Sequence, residues 1–401
     1  MNWKLIRIVD TCLGIPILIG KSLLGDQKKK RPVRDDSTPD RILLIKFWGI
    51  GNIAMILPSI KALRSTWPLA PIDFLTLESN RDALETFGLV DGITTIDTGS
   101  TMRFISSWRA AVDGLSGRRY DIIIDFEQFA RFSALIAHQV GGGRTIGFRT
   151  LGQHRHRLFS DAVEYDDHVH ITRSFFSLAV KAGVASPFPD GFTLPGLKTL
   201  QKRGRRLLAD AGLAPDEPVV VIHIGTSDNF RERRWPPEYY AHVSDHLAGR
   251  YGVRTVLTGL ADESFLIVET ISHLNAPAAA IDLGGKLNFG EFTALIAAAG
   301  MVLSADTAAV HLASALDVPV IGIYGPNTPR LYGPWGKRGL ALYDTFECSP
   351  CITNFNSKIN TCRHPDGQGA CMRAISAQDA CNAIDRFLAT GVSLQALRGE
   401  A

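Results

Sequence analysis

Short apolar runs alternate with stretches of helical period from residue 40 onward, and this alternation restricts the fold more than any other feature. Strands are predicted at 41–46, 71–77 and 121–125, with helices at 53–65, 80–87, 128–139 and 168–183. The second half repeats the pattern, with strands at 218–224, 253–258, 279–283, 301–305 and 318–324. Helices at 236–249, 262–273, 289–299 and 307–316 lie between or beside them. A strand followed by a crossover helix and another strand makes a parallel sheet, so the expected class is α/β.

A chain of 401 residues exceeds one ordinary core, and two Rossmann-like domains facing a central cleft are expected. The proline- and glycine-broken stretch Ser186-Pro-Phe-Pro-Asp-Gly191 is the predicted hinge. The expected divisions are an arm and linker at 1–39, a first domain at 40–190, a second at 191–345, and a cysteine-rich segment with a C-terminal helix at 346–401. Such sheets bind ligands beyond the carboxyl ends of their strands, so strand-to-helix junctions are where site residues are sought.

The net charge of +3 conceals an asymmetry, because residues 1–34 carry eight Lys or Arg against Asp10 and Asp26. The rest of the chain is therefore net negative, which argues against a nucleic-acid-binding body. The arm has only ten uncharged residues between Asp10 and Lys21, followed by Lys28-Lys29-Lys30-Arg31. As a helix those residues reach roughly 15 Å, about half a hydrocarbon core. A basic amphipathic arm on an anionic membrane surface fits better than a span, with a flexible arm as the plain alternative. No small-residue cleavage site follows Leu24, which speaks against a secretory signal.

The most informative junction runs from Met301 through Ser304-Ala305-Asp306-Thr307-Ala308-Ala309 to His311. A strand meets a helix whose first turn carries small side chains, so an anion can approach free backbone N–H groups at the positive end of the helix dipole. His311 lies one turn in, and would add a donor. The same residues also suit an ordinary N-cap and a core histidine. Nearby stand Gly225-Thr226, then Arg231, Arg233, Arg234, Trp235 and Pro236, and later Tyr324-Gly325-Pro326-Asn327-Thr328-Pro329.

With Arg233-Arg234-Trp235-Pro236, Asp306-Thr307 with His311, and Tyr324-Gly325-Pro326 with Pro329, the chain resembles glycosyltransferase family 9, the heptosyltransferase-type enzymes, over roughly residues 41–385. The resemblance implies a GT-B fold, inversion at the anomeric carbon and no required metal; an Asp-x-Asp motif is absent from the sequence. It implies a nucleotide-sugar donor such as ADP-heptose, held by Thr226, Arg233, Arg234, Glu263, Asp306, Thr307, Ala308, Ala309 and His311. Arg233 stands where the family usually has lysine, and Glu263 where a carboxylate meets the ribose. The implied acceptor is a glycolipid or lipopolysaccharide at the cytoplasmic face of the bacterial inner membrane.

Lys46-Phe47-Trp48-Gly49-Ile50-Gly51-Asn52-Ile53 resembles the family's glycine loop, with Gly49 and Gly51 as its glycines. The family commonly has an aspartate as base where this sequence has Asn52, and an amide cannot take a proton at neutral pH. Asp125 and Glu127, at the end of the third predicted strand, are the candidate replacements, Glu127 first. Both also suit helix capping.

Cys348, Cys351, Cys362 and Cys371 crowd into 24 residues, and four sulfurs with one two-residue gap suit tetrahedral zinc. Reduced thiols and cleft-lining cysteines suit the spacing equally. Two other functional readings remain at this stage. Gly49-Ile50-Gly51-Asn52-Ile53-Ala54 matches a dinucleotide fingerprint, with Glu78 at the end of the next strand, as in an NAD(P)-dependent dehydrogenase. Asn52 also suits a non-catalytic nucleotide-sugar-binding protein.

Overall fold

The run Ile42–Ile45 has no polar position, so both its faces must be covered, and it lies near the middle of a parallel sheet. In the structure, a computed structural model, residues 38–189, 192–214, 216–226, 228–352, 362, 364–367 and 369–390 are described. The basic arm read at residues 1–34 lies outside them, as do Asp190 and Gly191 of the predicted hinge. The chain divides into two compact units between Pro189 and Asp190.

The first unit runs β1 (Ile42–Ile45), α1 (Ile50–Thr66), β2 (Ile72–Leu77), α2 (Arg81–Phe87), β3 (Gly92–Ile96) and α3 (Thr101–Ser116). It continues with β4 (Tyr120–Asp125), α4 (Arg131–Val140), β5 (Gly142–Arg149), β6 (Asp161–Glu164) and α5 (Ile171–Ala182). All strands are parallel, in the order β3-β2-β1-β4-β5-β6. The chain winds outward from β1 to β3, then returns to place β4 on the other side of β1. That reversal opens a crevice between the loops following β1 and β4. Leu43, Ile45, Leu75 and Ile123 pack with Phe132 and Ile136 of α4 beneath it.

The second unit begins with α6 (Leu197–Asp210), β7 (Val219–His223), α7 (Pro237–Tyr251), β8 (Arg254–Thr258), α8 (Ser264–Ser272), β9 (Ala280–Asp282) and α9 (Phe289–Ala298). It ends with β10 (Met301–Ala305), α10 (Ala308–Ala315), β11 (Val320–Tyr324), α11 (Pro329–Tyr332), β12 (Gly339–Tyr343), α12 (Ala370–Ala374) and α13 (Ala377–Ala389). The order is β12-β11-β10-β7-β8-β9, again parallel, with the reversal between β7 and β10. Gly204 lets α6 lie tightly on α9, since a Cβ there would collide with the Ala294 carbonyl. Met372, Ile375, Ala380 and Ile384 share one core with Val220, Ile222 and Trp235, so α12 and α13 are part of this unit's packing.

Four strands escaped the sequence reading: β3, β5, β6 and β12. Three of them, β3, β6 and β12, are sheet edges. In β3 and β6, Thr, Asp and Glu break any apolar run, whereas β12, Gly339–Tyr343, is a short apolar run that the sequence reading passed over. β5 is interrupted by Gly142, Gly143, Arg144 and Gly147. Helices α3 and α6 were missed as well; α6 is rich in Lys and Arg, and Gly204 breaks its apolar pattern.

Candidate active site

In the first unit, the loop leaving β1 turns at Gly49, whose φ of 82° is in the region that favours glycine. Asn52, in the first turn of α1, donates from Nδ2 to the Trp48 carbonyl (3.0 Å). An aspartate in the same pose would set a carboxylate against that oxygen, so the amide has a local structural reason to be there.

The loop is held from below by Glu127. Its Oε1 accepts from the backbone N–H of Phe47 (2.7 Å) and Trp48 (3.0 Å), and its Oε2 pairs with Lys46 Nζ (3.2 Å). Lys46 also donates to Gln128 Oε1 (2.9 Å) and the Phe126 carbonyl (3.4 Å). Burial pushes the Lys46 ammonium below its ordinary pKa, and the adjacent Glu127 pulls it back up. Asp125 is fully buried, ion-paired with buried Arg155, and accepts from Ser133 Oγ (2.8 Å) and the Glu127 N–H (2.9 Å). Burial raises its pKa, the Arg155 charge opposing.

The Glu127 oxygens are thus hydrogen-bonded to Lys46, Phe47 and Trp48, and so hold the glycine loop. Asp125 lies one step behind, bonded to Arg155, Ser133 and the Glu127 N–H. Lys46, Arg155 and Ser133 were not singled out from sequence; a lysine closing an otherwise apolar strand was the available signal for Lys46.

In the second unit, the loops after β7, β8 and β10 carry the residues expected to bind donor. Thr307 caps α10, its Oγ1 accepting from Ala309 N–H (3.2 Å) and contacting Ser304 Oγ (2.9 Å). The first helical residues are Ala308 and Ala309, which put only methyl groups at that end. Arg233 reaches across from the loop after β7 and donates from Nη1 to the Asp306 carbonyl (2.9 Å). The Asp306 carboxylate lies 3.9 Å from both Arg233 Nη1 and His311 Nε2, and accepts from Asn327 Nδ2 at 2.8 Å. The Asp306 carboxylate thus links Arg233, His311 and Asn327. Asn327, the sequence neighbour of the Gly-Pro pair, was missed as its third partner.

Arg233 and Arg234 are anchored by Trp235, which is buried, stacks edge-on with Tyr240 (4.8 Å) and donates from Nε1 to the Ile375 carbonyl (2.8 Å). Arg234 lies over the Phe265 ring at 5.6 Å. Glu263 is buried against Gly225, where any Cβ would collide with its carboxylate. Its Oε2 accepts from Leu260 N–H (3.1 Å), while Oε1 is buried without a hydrogen-bond partner. Thr226 Oγ1 is likewise buried without one. Desolvation raises the Glu263 pKa, with Arg234 opposing. Two buried oxygens without side-chain hydrogen-bond partners thus stand just beyond the adjacent strands β7 and β8.

The zinc reading is not supported by the structure. Among the described residues no group of three or more His, Cys, Asp or Glu side chains is placed to hold a metal. Cys348 is exposed and Cys371 buried against Gly325, so the four sulfurs occupy different depths. Glu78, the ribose acid of the dehydrogenase reading, is paired instead with Arg81 (2.9 Å) and Thr95.

Two parallel-sheet α/β units, with Arg233 beside the N-terminus of α10 at the reversal of the second sheet, are an architecture shared with two-domain glycosyltransferases. The family model described as glycosyltransferase family 9 (heptosyltransferase) matches residues 108–360, and the chain belongs to that family. It is similar to lipopolysaccharide heptosyltransferase 2 of Salmonella typhimurium, 26% identical over 309 residues, covering 75% of this chain and 87% of the relative. Lipopolysaccharide heptosyltransferase 1 of Pseudomonas aeruginosa is 24% identical over 326 residues, covering 78% and 86%. Its fold is that of the glycosyl transferase family 9 protein from Veillonella parvula (TM-score 0.73, 20% identity, covering 88% and 97%). It is shared with the E. coli ADP-heptose lps heptosyltransferase II (TM-score 0.69, 20% identity, covering 88% and 100%). The chain is therefore a glycosyltransferase, and the dehydrogenase and non-catalytic readings fall.

Proposed function

We propose that this glycosyltransferase moves a heptose-like sugar, with inversion and without a required metal, from a nucleoside-diphosphate donor, ADP-heptose in the first instance, to a lipopolysaccharide-type acceptor. The observation that carries the reading is the joint presence, around the β7–β10 reversal, of an uncovered helix N-terminus, Arg233 and the orphaned oxygens of Thr226 and Glu263. The names of the relatives, lipopolysaccharide heptosyltransferases 1 and 2, support the choice of sugar and acceptor.

In this mechanism the acceptor hydroxyl attacks the anomeric carbon as the bond to the diphosphate breaks. Negative charge grows on the leaving phosphate. Arg233, Arg234, the N–H groups of Thr307, Ala308 and Ala309, and His311 meet that charge, already oriented by Asp306 and Trp235. The Glu263 carboxylate and Thr226 hydroxyl take the ribose hydroxyls. On the acceptor side, Asn52 turns its amide oxygen to the incoming hydroxyl and orients it. The proton leaves late, to solvent water.

The acceptor's lipid and the basic arm at residues 1–34 together favour peripheral work at the inner face of the inner membrane. Among the described residues no helix is long and apolar enough to cross a membrane. A thermal-shift series with ADP, UDP, GDP and dTDP tests the donor assignment: ADP gives the largest rise in Tm. If no nucleotide raises Tm, the donor site is wrongly placed.

A further inference from the structure

The segment Cys348-Ser349-Pro350-Cys351 grips the loop that follows β11. The N–H groups of Cys351 and Ile352 both donate to the Pro326 carbonyl (2.9 and 3.0 Å), and Ser349 Oγ donates to the Gly325 carbonyl. The next residue is Asn327, which donates to Asp306 (2.8 Å), and Asp306 in turn accepts from Arg233. Three hydrogen bonds, with the Pro326–Asn327 peptide between the first and second, thus lead from the Cys351 backbone to the arginine at the candidate donor site.

The two cysteines differ in a way that suits thiol exchange. Cys348 is exposed and Cys351 half-buried, with a two-residue spacing that lets one backbone turn bring sulfurs together. Cys371 touches the same dipeptide from inside, a Cβ on Gly325 falling 2.7 Å from its Sγ. Burial, then the neighbouring thiols Cys351, Cys362 and Cys348, push it up to about 11, which keeps it unreactive.

We propose that Cys348 and Cys351 form a reversible disulfide with glutathione disulfide as oxidant, and that closing it weakens binding of the donor's nucleoside diphosphate. The Cys348 thiolate attacks one sulfur of glutathione disulfide and releases a glutathione thiolate. The Cys351 thiolate then attacks the Cys348 sulfur and releases the second. Two protein thiols are oxidised, one glutathione disulfide is reduced to two thiols, and the two protein protons pass to solvent or the released thiolates. Burial, and after it the charges of Cys348 and Cys362, raise the Cys351 pKa, so the second step is the slower one. The ring contains Ser349 and Pro350, so its closure displaces Ser349 Oγ from Gly325 and Cys351 N–H from Pro326. Asn327 then loses its fixed pose against Asp306.

The coupling to donor affinity rests on the nucleotide-binding reading above; the covalent step does not. The full chain is incubated with reduced or oxidised glutathione, its cysteines are mapped by peptide mass analysis, and ADP is titrated by calorimetry. The expected result is a Cys348–Cys351 linked peptide, an ADP Kd raised about fivefold, and reversal by dithiothreitol. Cys348→Ser removes both effects, and Cys362→Ser keeps them. The proposal is overturned by absence of an intramolecular disulfide, by a link involving Cys362 or Cys371, or by equal ADP affinity in the two states. If the reduced chain binds no ADP, the nucleotide reading fails instead. Amide exchange at Gly325 and Asn327 then decides the coupling, with unchanged protection on oxidation counting against it.

Discussion

Replacing Glu127 by Gln separates a loop-setting carboxylate from a catalytic base. The amide oxygen can still accept from Phe47 and Trp48, so the change falls on Lys46, which is 1% exposed and would keep only Gln128 and the Phe126 carbonyl as acceptors. Removing one partner of a buried ion pair costs about 3–5 kcal/mol, and the surviving acceptors place Glu127→Gln near the lower figure. For a unit of this size that is a fall in Tm of roughly 6–12 °C by differential scanning calorimetry. The deficit depends on pH in a defined direction. Because burial lowers the Lys46 pKa below 10.5, the unfolded chain binds the proton more tightly, and stability rises with pH between the folded value and 10.5. Losing Glu127 lowers the folded value further, so the penalty shrinks as pH rises from neutrality. The decisive comparison is Lys46→Met/Glu127→Gln, which removes the orphaned charge while keeping the amide acceptor. A loop-setting role predicts recovery of both Tm and turnover. Recovery of Tm with kcat still down by more than about 10³ would refute the reasoning and return Glu127 to the chemistry.

Three further outcomes are expected. Glu263→Gln lowers ADP affinity about tenfold while leaving Tm at neutral pH unchanged or higher. Its raised pKa means the folded state binds the proton more tightly, so wild-type stability falls as pH rises from 4.5 through the folded value, and scanning calorimetry across that range shows the slope gone in the variant. Gly225→Ala displaces the same carboxylate by contact and reproduces the affinity loss without changing any charge, as calorimetric titration of ADP would show. Thr307→Ala removes the cap of α10 and costs about 1 kcal/mol in chemical denaturation, with weaker ADP binding; an unchanged midpoint would mean the cap hydrogen bond is not formed in solution.

The central strands were legible because burial on both faces leaves an uninterrupted apolar run, as in Ile42–Ile45 and Met301–Ala305. Edge strands such as Asp161–Glu164 were not, since half their surface faces outward and any residue is tolerated there. At the candidate site, the strand-to-helix junction capped by Thr307 was readable from its small residues, and Arg233 from its place beside Trp235. Roles were harder. A carboxylate at a strand end reads alike whether it meets substrate or a backbone N–H, and only the positions of Phe47, Trp48 and Lys46 around Glu127 separate the two. The same holds for Asp306, whose partners Arg233, His311 and Asn327 come from three different segments.

Trp235 carries a consequence for anyone trimming or recombining this protein. Its indole is tethered to Ile375, more than a hundred positions later in the chain. The arginines beside it therefore depend on the last helices to hold their aim. A chimera that exchanged the C-terminal helices for those of a distant homologue would inherit Arg233 and Arg234 on a platform no longer level. Donor-site transplants in this scaffold should move residues 231–236 and 370–389 as a single cassette.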